Sequence, residues 1–447
     1  MQTAWFVALI STICFEGLGR RYLPFVPPAA FYFLKDAVLL WGYFQFRVDQ
    51  SVRQSVRFLL RGFEGICLVG ILWTIAEIFN PEHQSFILGL IGLQAYWLWW
   101  IAPPVIASVL QRRKEKDRAI YALFAVSLVV AVFAAIQFAS PADSSVNMYS
   151  VWNGEEVYAA DSATIQTTGR ARVASTFAYI SGFTDFTILV PALLLSLGLD
   201  AENSSVRRAA LLGAMATAIV VPMSGSRSAV VIGGGLLLLS LWTAGLFFTR
   251  IGRRILVGSA AAAVLMVVLS PDAVLGLQDR FQDTSETSGR FEGLATLLPP
   301  VALATFDYPP LGIGTGMEHN ARAPFHVETK WDVESELGRY LVELGPIGFV
   351  LVWTARLGLM VGLLRAYGLL KRSGRRGSAA AALSFAAVTM IGSLTFDHNW
   401  QALYFMGYGF VLAEVVSVRQ KAAAMRDGSF SASNPASLDR DEQALVA

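Results

Sequence analysis

Trp331-Asp-Val-Glu-Ser-Glu-Leu-Gly-Arg-Tyr-Leu-Val-Glu-Leu-Gly-Pro-Ile-Gly348 closes the longest polar segment in the middle of the chain and opens a strongly apolar helix. Carboxylates, an arginine and a tyrosine therefore stand where water meets an apolar phase. Around this stretch the chain is 447 residues long, 55% hydrophobic and only 15% charged, with a mean hydropathy of +0.52. A soluble fold of this size carries more polar surface. The apolar residues also come in blocks that reach across a hydrocarbon core of ~30 Å. The sequence predicts an all-α, polytopic membrane helical bundle.

Hydropathy gives about twelve transmembrane helices of the ~20 residues a bilayer requires. They fall near 3–19, 29–46, 58–79, 85–110, 119–139, 176–198, 207–223, 228–249, 254–270, 337–367, 378–396 and 400–418. The first lacks the basic start and small-residue cleavage site of a signal peptide and is kept as a span. Every second loop is basic: Arg47, Arg53 and Arg57; Arg112, Arg113, Lys114, Lys116 and Arg118; Arg207 and Arg208; Arg250, Arg253 and Arg254; Lys371, Arg372, Arg375 and Arg376. The positive-inside rule places these loops, and both termini, in the cytoplasm. Residues 1–421 then form one polytopic domain with long outer loops at 140–175 and 271–336, the second just before the tenth helix. The Ser-, Asp- and Ala-rich tail 422–447 reads as disordered. Cys14 and Cys67 lie in apolar segments and read as small hydrophobes, not as a disulfide.

Seven arginines break the charge rule by falling outside: Arg20, Arg21, Arg170, Arg172, Arg227, Arg280 and Arg290. One alone reads equally well as snorkelling to the interface. Several from distant loops favour a shared anion, because guanidinium forks match phosphate oxygens in pairs. At a membrane surface that anion is a lipid phosphate or pyrophosphate. Gly312-Ile-Gly-Thr-Gly316 superficially suggests a phosphate loop, but it follows no clear strand, so tight turns are expected there.

At Arg172-Val-Ala-Ser-Thr-Phe177, Ser224-Gly-Ser-Arg-Ser228, Pro310-Leu-Gly-Ile-Gly314 and Glu343-Leu-Gly-Pro-Ile-Gly348 the chain resembles the O-antigen ligase and O-antigen polymerase superfamily of bacterial glycan-assembling membrane proteins. Glu16-Gly-Leu-Gly-Arg-Arg21, followed by Tyr32-Phe-Leu-Lys-Asp36, looks like an exopolysaccharide-associated branch. The resemblance implies a multi-span glycosyltransferase of the bacterial inner membrane, working in surface polysaccharide (lipopolysaccharide or exopolysaccharide) assembly. It takes a glycan from undecaprenyl pyrophosphate at the outer leaflet and passes it to an acceptor hydroxyl, with no cofactor and no required metal. One feature departs from the ligases. Their His-Asn pair stands eleven residues before the first glycine of Gly-x-x-Gly; that slot, counted from Gly345, holds Glu334-Ser335, while His319-Asn320 lies fifteen residues earlier. The departure tilts the reading toward a polymerase-like branch.

Such a transfer needs cations for the leaving pyrophosphate, an aligned acceptor hydroxyl and a base for its proton. Glu334 and Glu336 are the candidate catalytic carboxylates. Arg172, Arg227, Arg290, Arg20 and Arg21 are the candidate pyrophosphate ligands, and Arg339, Tyr340 and His398 candidate residues of the mouth. Plainer readings stand beside these. Asp332 could cap the tenth helix, with Glu334 and Glu336 as its acidic first turn and Glu336 paired to Arg339. Lys35 with Asp36, and Arg61 with Glu64, could neutralise each other inside the bundle. His83, His319 and His326 read as solvated histidines without metal-ligand spacing, and two carboxylates at Glu334 and Glu336 are a thin cation site. Trp97, Trp99 and Trp100 suit interfacial anchoring. A transporter or flippase for an amphipathic anion is the rival class, although no internal repeat supports it.

The topology has a direct test in cysteines placed one at a time by Ser285→Cys and Ser373→Cys. In cells with a permeabilised outer membrane, an impermeant thiol reagent should label the first site and spare the second. Labelling in the opposite pattern overturns the assignment of sides.

Overall fold

In a computed structural model the chain is all-α apart from one short hairpin. The structure describes residues 2–152, 155–158, 164, 169–247, 249, 252–253, 257–258, 278, 299–305, 307–319, 331, 333 and 335–426. The helices are α1 (Gln2–Cys14), α2 (Glu16–Tyr22), α3 (Pro28–Gln45), α4 (Gln50–Leu60), α5 (Glu64–Ala76), α6 (Phe86–Trp97), α7 (Ala102–Val109) and α8 (Arg113–Ala139). After the antiparallel pair β1 (Met148–Trp152) and β2 (Glu155–Tyr158) come α9 (Ile180–Asp200), α10 (Ser204–Val220), α11 (Arg227–Thr243), the short α12 (Pro299–Thr305), α13 (Glu336–Arg372), α14 (Arg376–Val388) and α15 (His398–Arg426).

Six helices are long and apolar enough to cross a membrane, or eight if two bent pairs each count as one span. Among the described residues six to eight of the twelve expected spans thus have such a helix, and the others differ for identifiable reasons. The first expected span bends by 61° between α1 and α2. The third is two helices, α4 and α5, meeting at 90°. The α11 and α14 helices have 17 and 13 residues, short of the length a bilayer asks of a straight helix. The expected span at 254–270 and most of the loop 271–336 lie outside the described residues. The first residues of the expected tail are helical, since α15 continues to Arg426, and the rest of it lies outside the described residues.

The centre of the bundle is α9, buried at every position from Gly182 to Gly198. A helix apolar all round belongs in an interior, and α9 packs against α10, α11, α14 and α15. Its last residue, Asp200, accepts from the backbone N–H groups of Gly377 (2.8 Å) and Ser378 (2.6 Å), satisfying the free donors at the start of α14. The bundle rim shows the opposite composition: Leu68, Val69 and Leu72 of α5, and Val129, Val132 and Ile136 of α8, turn outward. A belt of exposed aliphatic side chains suits hydrocarbon, not water.

Charges inside the bundle pair differently from the expectation. Lys35 and Asp36 do not neutralise each other, since adjacent residues on a helix point in different directions; each has its own partners, described below. Glu64 accepts from the Gly62 N–H (2.8 Å) and forms no ion pair with Arg61. Trp97 and Trp99 are buried, not interfacial, and Trp97 donates to Thr74 Oγ1 (3.0 Å). Trp100 stacks at a tilt against Trp97, ring centroids 5.2 Å apart.

The stretch Trp331 to Gly348 contains the main joint of the fold. Gly345 adopts φ 65° and ψ −179°, breaking α13, and Pro346 has no N–H to offer the carbonyl of Val342. The carbonyls freed by the break find new donors. Val342 accepts from Ile313 N–H (2.9 Å), Glu343 from Gly314 N–H (3.0 Å) and Leu344 from Trp73 Nε1 (3.0 Å). The Glu343 side chain completes the joint. Its Oε2 accepts from Gly316 N–H (2.9 Å) and Tyr96 OH (3.0 Å), and its Oε1 from Glu318 N–H (2.8 Å). The glycine run is thus a cradle of backbone donors already holding an internal carboxylate. The expected tight turns are there, and no phosphate is needed to explain them. His83 pins the loop from the other side, with Nε2 donating to Thr315 O (2.9 Å) while Nδ1 accepts from Ser85 N–H (3.2 Å).

Gly312 sits in this joint at φ 81°, and a Cβ there would land on the Glu343 carbonyl. Gly312→Ala should cost about 2–4 kcal/mol through strain and overlap. Gly235→Ala is the control: it lies in α11 with open space around its Cβ direction, and should be neutral or stabilising by up to ~1 kcal/mol. Thermal unfolding of the two variants in detergent checks the pair, and equal melting temperatures would refute the joint.

Candidate functional site

Polar side chains converge at one end of the bundle, where α2, the start of α3 and the first residues of α9 and α15 meet. Glu16 stands at the start of α2 and Lys35 in α3, both buried. Lys35 Nζ donates to Glu16 Oε2 (2.8 Å) and to Asn399 Oδ1 (3.0 Å). Arg20, one turn along α2, pairs with the other Glu16 oxygen. A buried carboxylate with two cations gains charge-assisted hydrogen bonds that offset part of its desolvation.

Asp36 makes a second group. Its Oδ1 accepts from Trp99 Nε1 (2.9 Å) and from His398 Nε2 (2.9 Å), and its Oδ2 from Gln94 Nε2 (2.8 Å). Trp99 Nε1 also lies 2.9 Å from His398 Nε2, so the indole, the imidazole and the carboxylate form one cluster. His398 Nδ1 is buried and has no hydrogen-bond partner among the described residues. Asp397 caps α15, accepting from Asn399 N–H (3.0 Å) and Trp400 N–H (3.1 Å). The buried Asp185 of α9 lies against it. Asp185 Oδ2, Gln94 Oε1 and Arg20 Nε likewise lack a partner among the described residues. Buried polar atoms in native structures are normally satisfied, so their gathering at one place marks a polar ligand surface.

His319 closes this group on the loop side. It is 3% exposed, not solvated as the sequence implied, because the glycine cradle carries it inward onto Tyr32 OH (3.4 Å) and the Phe396 ring (6.2 Å). Burial, with His398 and Arg339 nearby, pushes its pKa down to about 4, so it is a neutral acceptor across physiological pH. Arg339 lies over Phe396 at 5.1 Å and donates to Val333 O (2.8 Å).

Glu336 and Tyr340 are part of a closed clamp. Glu336 Oε1 accepts from Tyr340 OH (2.6 Å) and Thr395 N–H (2.7 Å), and Oε2 accepts from Arg356 Nη1 (2.9 Å). Arg356 also donates to the carbonyls of Thr389 (2.8 Å) and Gly392 (2.6 Å). The expected pairing of Glu336 with Arg339 is therefore replaced by one with Arg356, twenty residues on and within reach because α13 is broken between them at Gly345. Ser335 caps α13, accepting from Gly338 N–H (3.1 Å). Asp332 and the candidate base Glu334 lie outside the described residues, as do Arg280, Arg290 and His326.

The arginine candidates gather in one corner. Arg21 is buried and donates to Ser175 O and, at 2.8 Å, to Phe177 O. Arg172 lies along the turn before α11, with Nε donating to Ser224 O (3.4 Å), and a Cβ on Gly225 would touch it. Arg227 follows as the first residue of α11 and is 8% exposed. Burial pushes the Tyr149 hydroxyl up to about 12 against the lowering pull of Arg172 and Arg21, which flank it. Arg20 and Arg21, adjacent on α2, join this corner to the Lys35 group. Among the described residues no three of His, Cys, Asp and Glu converge as a metal site.

Sequence reasoning missed Glu16, Asp185, Glu343 and Arg356. Arg356 had a signal: a lone arginine in the middle of an apolar helix needs a partner. Compared with known protein families and curated proteins, the chain matches no family model and no curated sequence.

The depressed His319 pKa has a sign that can be checked. The unfolded pKa is ~6.5, above the folded value, so acid favours the unfolded chain. Stability from this group is complete above ~6.5 and is lost as pH falls toward 4, by roughly 3 kcal/mol in all. His319→Gln should flatten the melting temperature between pH 6.5 and 4 relative to wild type. An unchanged slope would mean that His319 takes up its proton without cost.

Proposed function

We propose that this protein is an O-antigen ligase- or polymerase-like glycosyltransferase of the bacterial inner membrane, serving surface polysaccharide assembly. In this reading twelve helices cross the membrane, both termini are cytoplasmic and the loop 271–336 faces outward. The donor is a glycan on undecaprenyl pyrophosphate and the acceptor a hydroxyl of a second glycan or lipid. The observation that carries the reading is the meeting of Arg20, Arg21, Arg172 and Arg227 at the same end of an apolar bundle as the unpartnered polar atoms around His398 and Asp185. Cations held there favour a pyrophosphate, and acceptor and donor atoms beside them favour sugar hydroxyls.

In the transfer, the acceptor oxygen forms a bond to the anomeric carbon as the bond from that carbon to the pyrophosphate oxygen breaks. The leaving oxygen takes the electron pair, and Arg172 and Arg227, with Arg290, stabilise the charge that develops on it. Glu334 receives the acceptor's proton. Glu336 is the second candidate carboxylate, but with both oxygens engaged it serves to hold the start of α13 and the Tyr340 hydroxyl in place. Arg339 and Phe396 line the approach.

A transporter of an amphipathic anion is the second reading. The buried pairs Lys35–Glu16 and His398–Asp36 favour it, because ionisable pairs inside a bundle also serve ion-coupled transport. Purified full-length protein with lipid-linked glycan separates the two. Transfer should yield a longer or newly linked glycan and free undecaprenyl pyrophosphate; transport yields neither. Arg172→Ala and Arg227→Ala should each lower turnover by about 10²–10³, with Lys restoring part, since it keeps charge but loses the fork. Glu334→Gln should cost about 10²–10⁴, and Glu336→Gln should act mainly on stability. Wild-type turnover in the double Ala variant would end the clamp, and wild-type turnover in Glu334→Gln would end its role as base.

A further inference from the structure

The opposite end of the bundle carries a second polar feature, built on α4. This helix, Gln50–Leu60, buries Val52, Ser55 and Leu59, a 3–4 spacing that seats one stripe against α7, α13 and α15. The other face is exposed and carries Arg53, Gln54 and Arg57 with Phe58. Beyond Leu60 the chain turns by 90° into α5, whose Leu68, Val69 and Leu72 face outward. With α5 crossing hydrocarbon, α4 lies along the membrane surface, the position of an interfacial amphipathic helix.

A groove of about 910 Å³ runs between α4 and the end of α3. Its charged residues are Arg47, Arg53 and Arg57 against a single carboxylate, Asp49. Asp49 is already engaged, accepting from Gln111 Nε2 (3.0 Å). The three guanidinium groups have no partner among the described residues, so the groove is cationic. Its wall is apolar and aromatic: Tyr43 is 46% and Phe44 80% exposed. Arginine 53 and arginine 57 stand one helical turn apart, with about 5–6 Å between their Cβ atoms, a spacing at which two forks can share one phosphate group. Aromatic rings beside them suit the level of a headgroup and its first acyl carbons.

We propose that this groove binds the phosphodiester headgroup of an anionic phospholipid, with Arg47, Arg53 and Arg57 on the phosphate and Tyr43 and Phe44 along the glycerol and upper acyl chain. Free phosphate offers the same charge, but it leaves the aromatic wall uncovered, and charge together with an apolar wall selects the lipid. A lipid held there ties α4 to the surface and so fixes the bend into α5. The site stands apart from the glycan-transfer reading and does not depend on it.

The experiment is native mass spectrometry of the full chain in detergent, titrated with phosphatidylglycerol or phosphatidylcholine at low salt. Wild type should bind phosphatidylglycerol in preference. Each of Arg53→Gln and Arg57→Gln should weaken that binding about five-fold, the effect of ~1 kcal/mol per arginine at an anionic surface. The Arg53→Lys/Arg57→Lys double variant should retain most of it, and Arg208→Gln, at an exposed arginine on α10 away from the groove, should change nothing. Undiminished phosphatidylglycerol binding in the Arg53→Gln/Arg57→Gln double variant overturns the site. So does equal binding of phosphatidylcholine. Displacement of the lipid by an equal concentration of glycerol 3-phosphate overturns the lipid as occupant and leaves a soluble anion in its place.

Discussion

The break in α13 at Gly345 and Pro346 is the constraint on which the candidate site depends. A continuous helix would bond the carbonyls of Val342, Glu343 and Leu344 internally and leave the glycine loop nowhere to dock. Broken, it presents those carbonyls to Ile313, Gly314 and Trp73, each bond worth roughly 1 kcal/mol net and each costly to leave unmade in an apolar surrounding. The Glu343 carboxylate then gathers Gly316 and Glu318. Because this loop leads directly into His319, a backbone irregularity in one helix decides where a side chain more than twenty residues away points.

A second consequence concerns charge. The buried ion pairs at the polar end join segments distant in sequence: Glu16 of α2 to Lys35 of α3, Asp36 of α3 to His398 of α15, and Glu336 to Arg356 across the break in α13. Breaking one partner of such a pair leaves an uncompensated charge, which is costly, whereas the intact pair is near neutral in stability. Their effect is registry more than strength. They fix which helix faces which at the end where a ligand would enter, while the apolar core around α9 supplies cohesion.

The two ends of the bundle differ in how their cations are held. At the polar end Arg21 and Lys35 are buried, Arg20 is partly buried, and all three are directed by carboxylates or carbonyls, an arrangement suited to recognising a particular polar ligand. On α4, Arg53 and Arg57 project from an exposed face beside open aromatic rings, an arrangement suited to a surface. The same residue type therefore serves two physical tasks, separated by desolvation.

The sequence by itself determined the class of fold and most helix positions, because apolar blocks, Gly-Pro breaks and cap residues act locally. It also marked the glycine run as turns, which the positive φ angles at Gly312, Gly314 and Gly316 bear out. Only the tertiary structure decided the partners. Lys35 and Asp36 are adjacent in sequence yet look to different helices; Glu336 reaches Arg356 and not Arg339; His319 and Trp99 turn inward. The number of crossings likewise depended on bends, of 61° and 90°, that hydropathy averages over. Pairing of charges is a matter of geometry between distant segments, and a one-dimensional pattern carries the presence of a charge but not the direction in which its side chain is held.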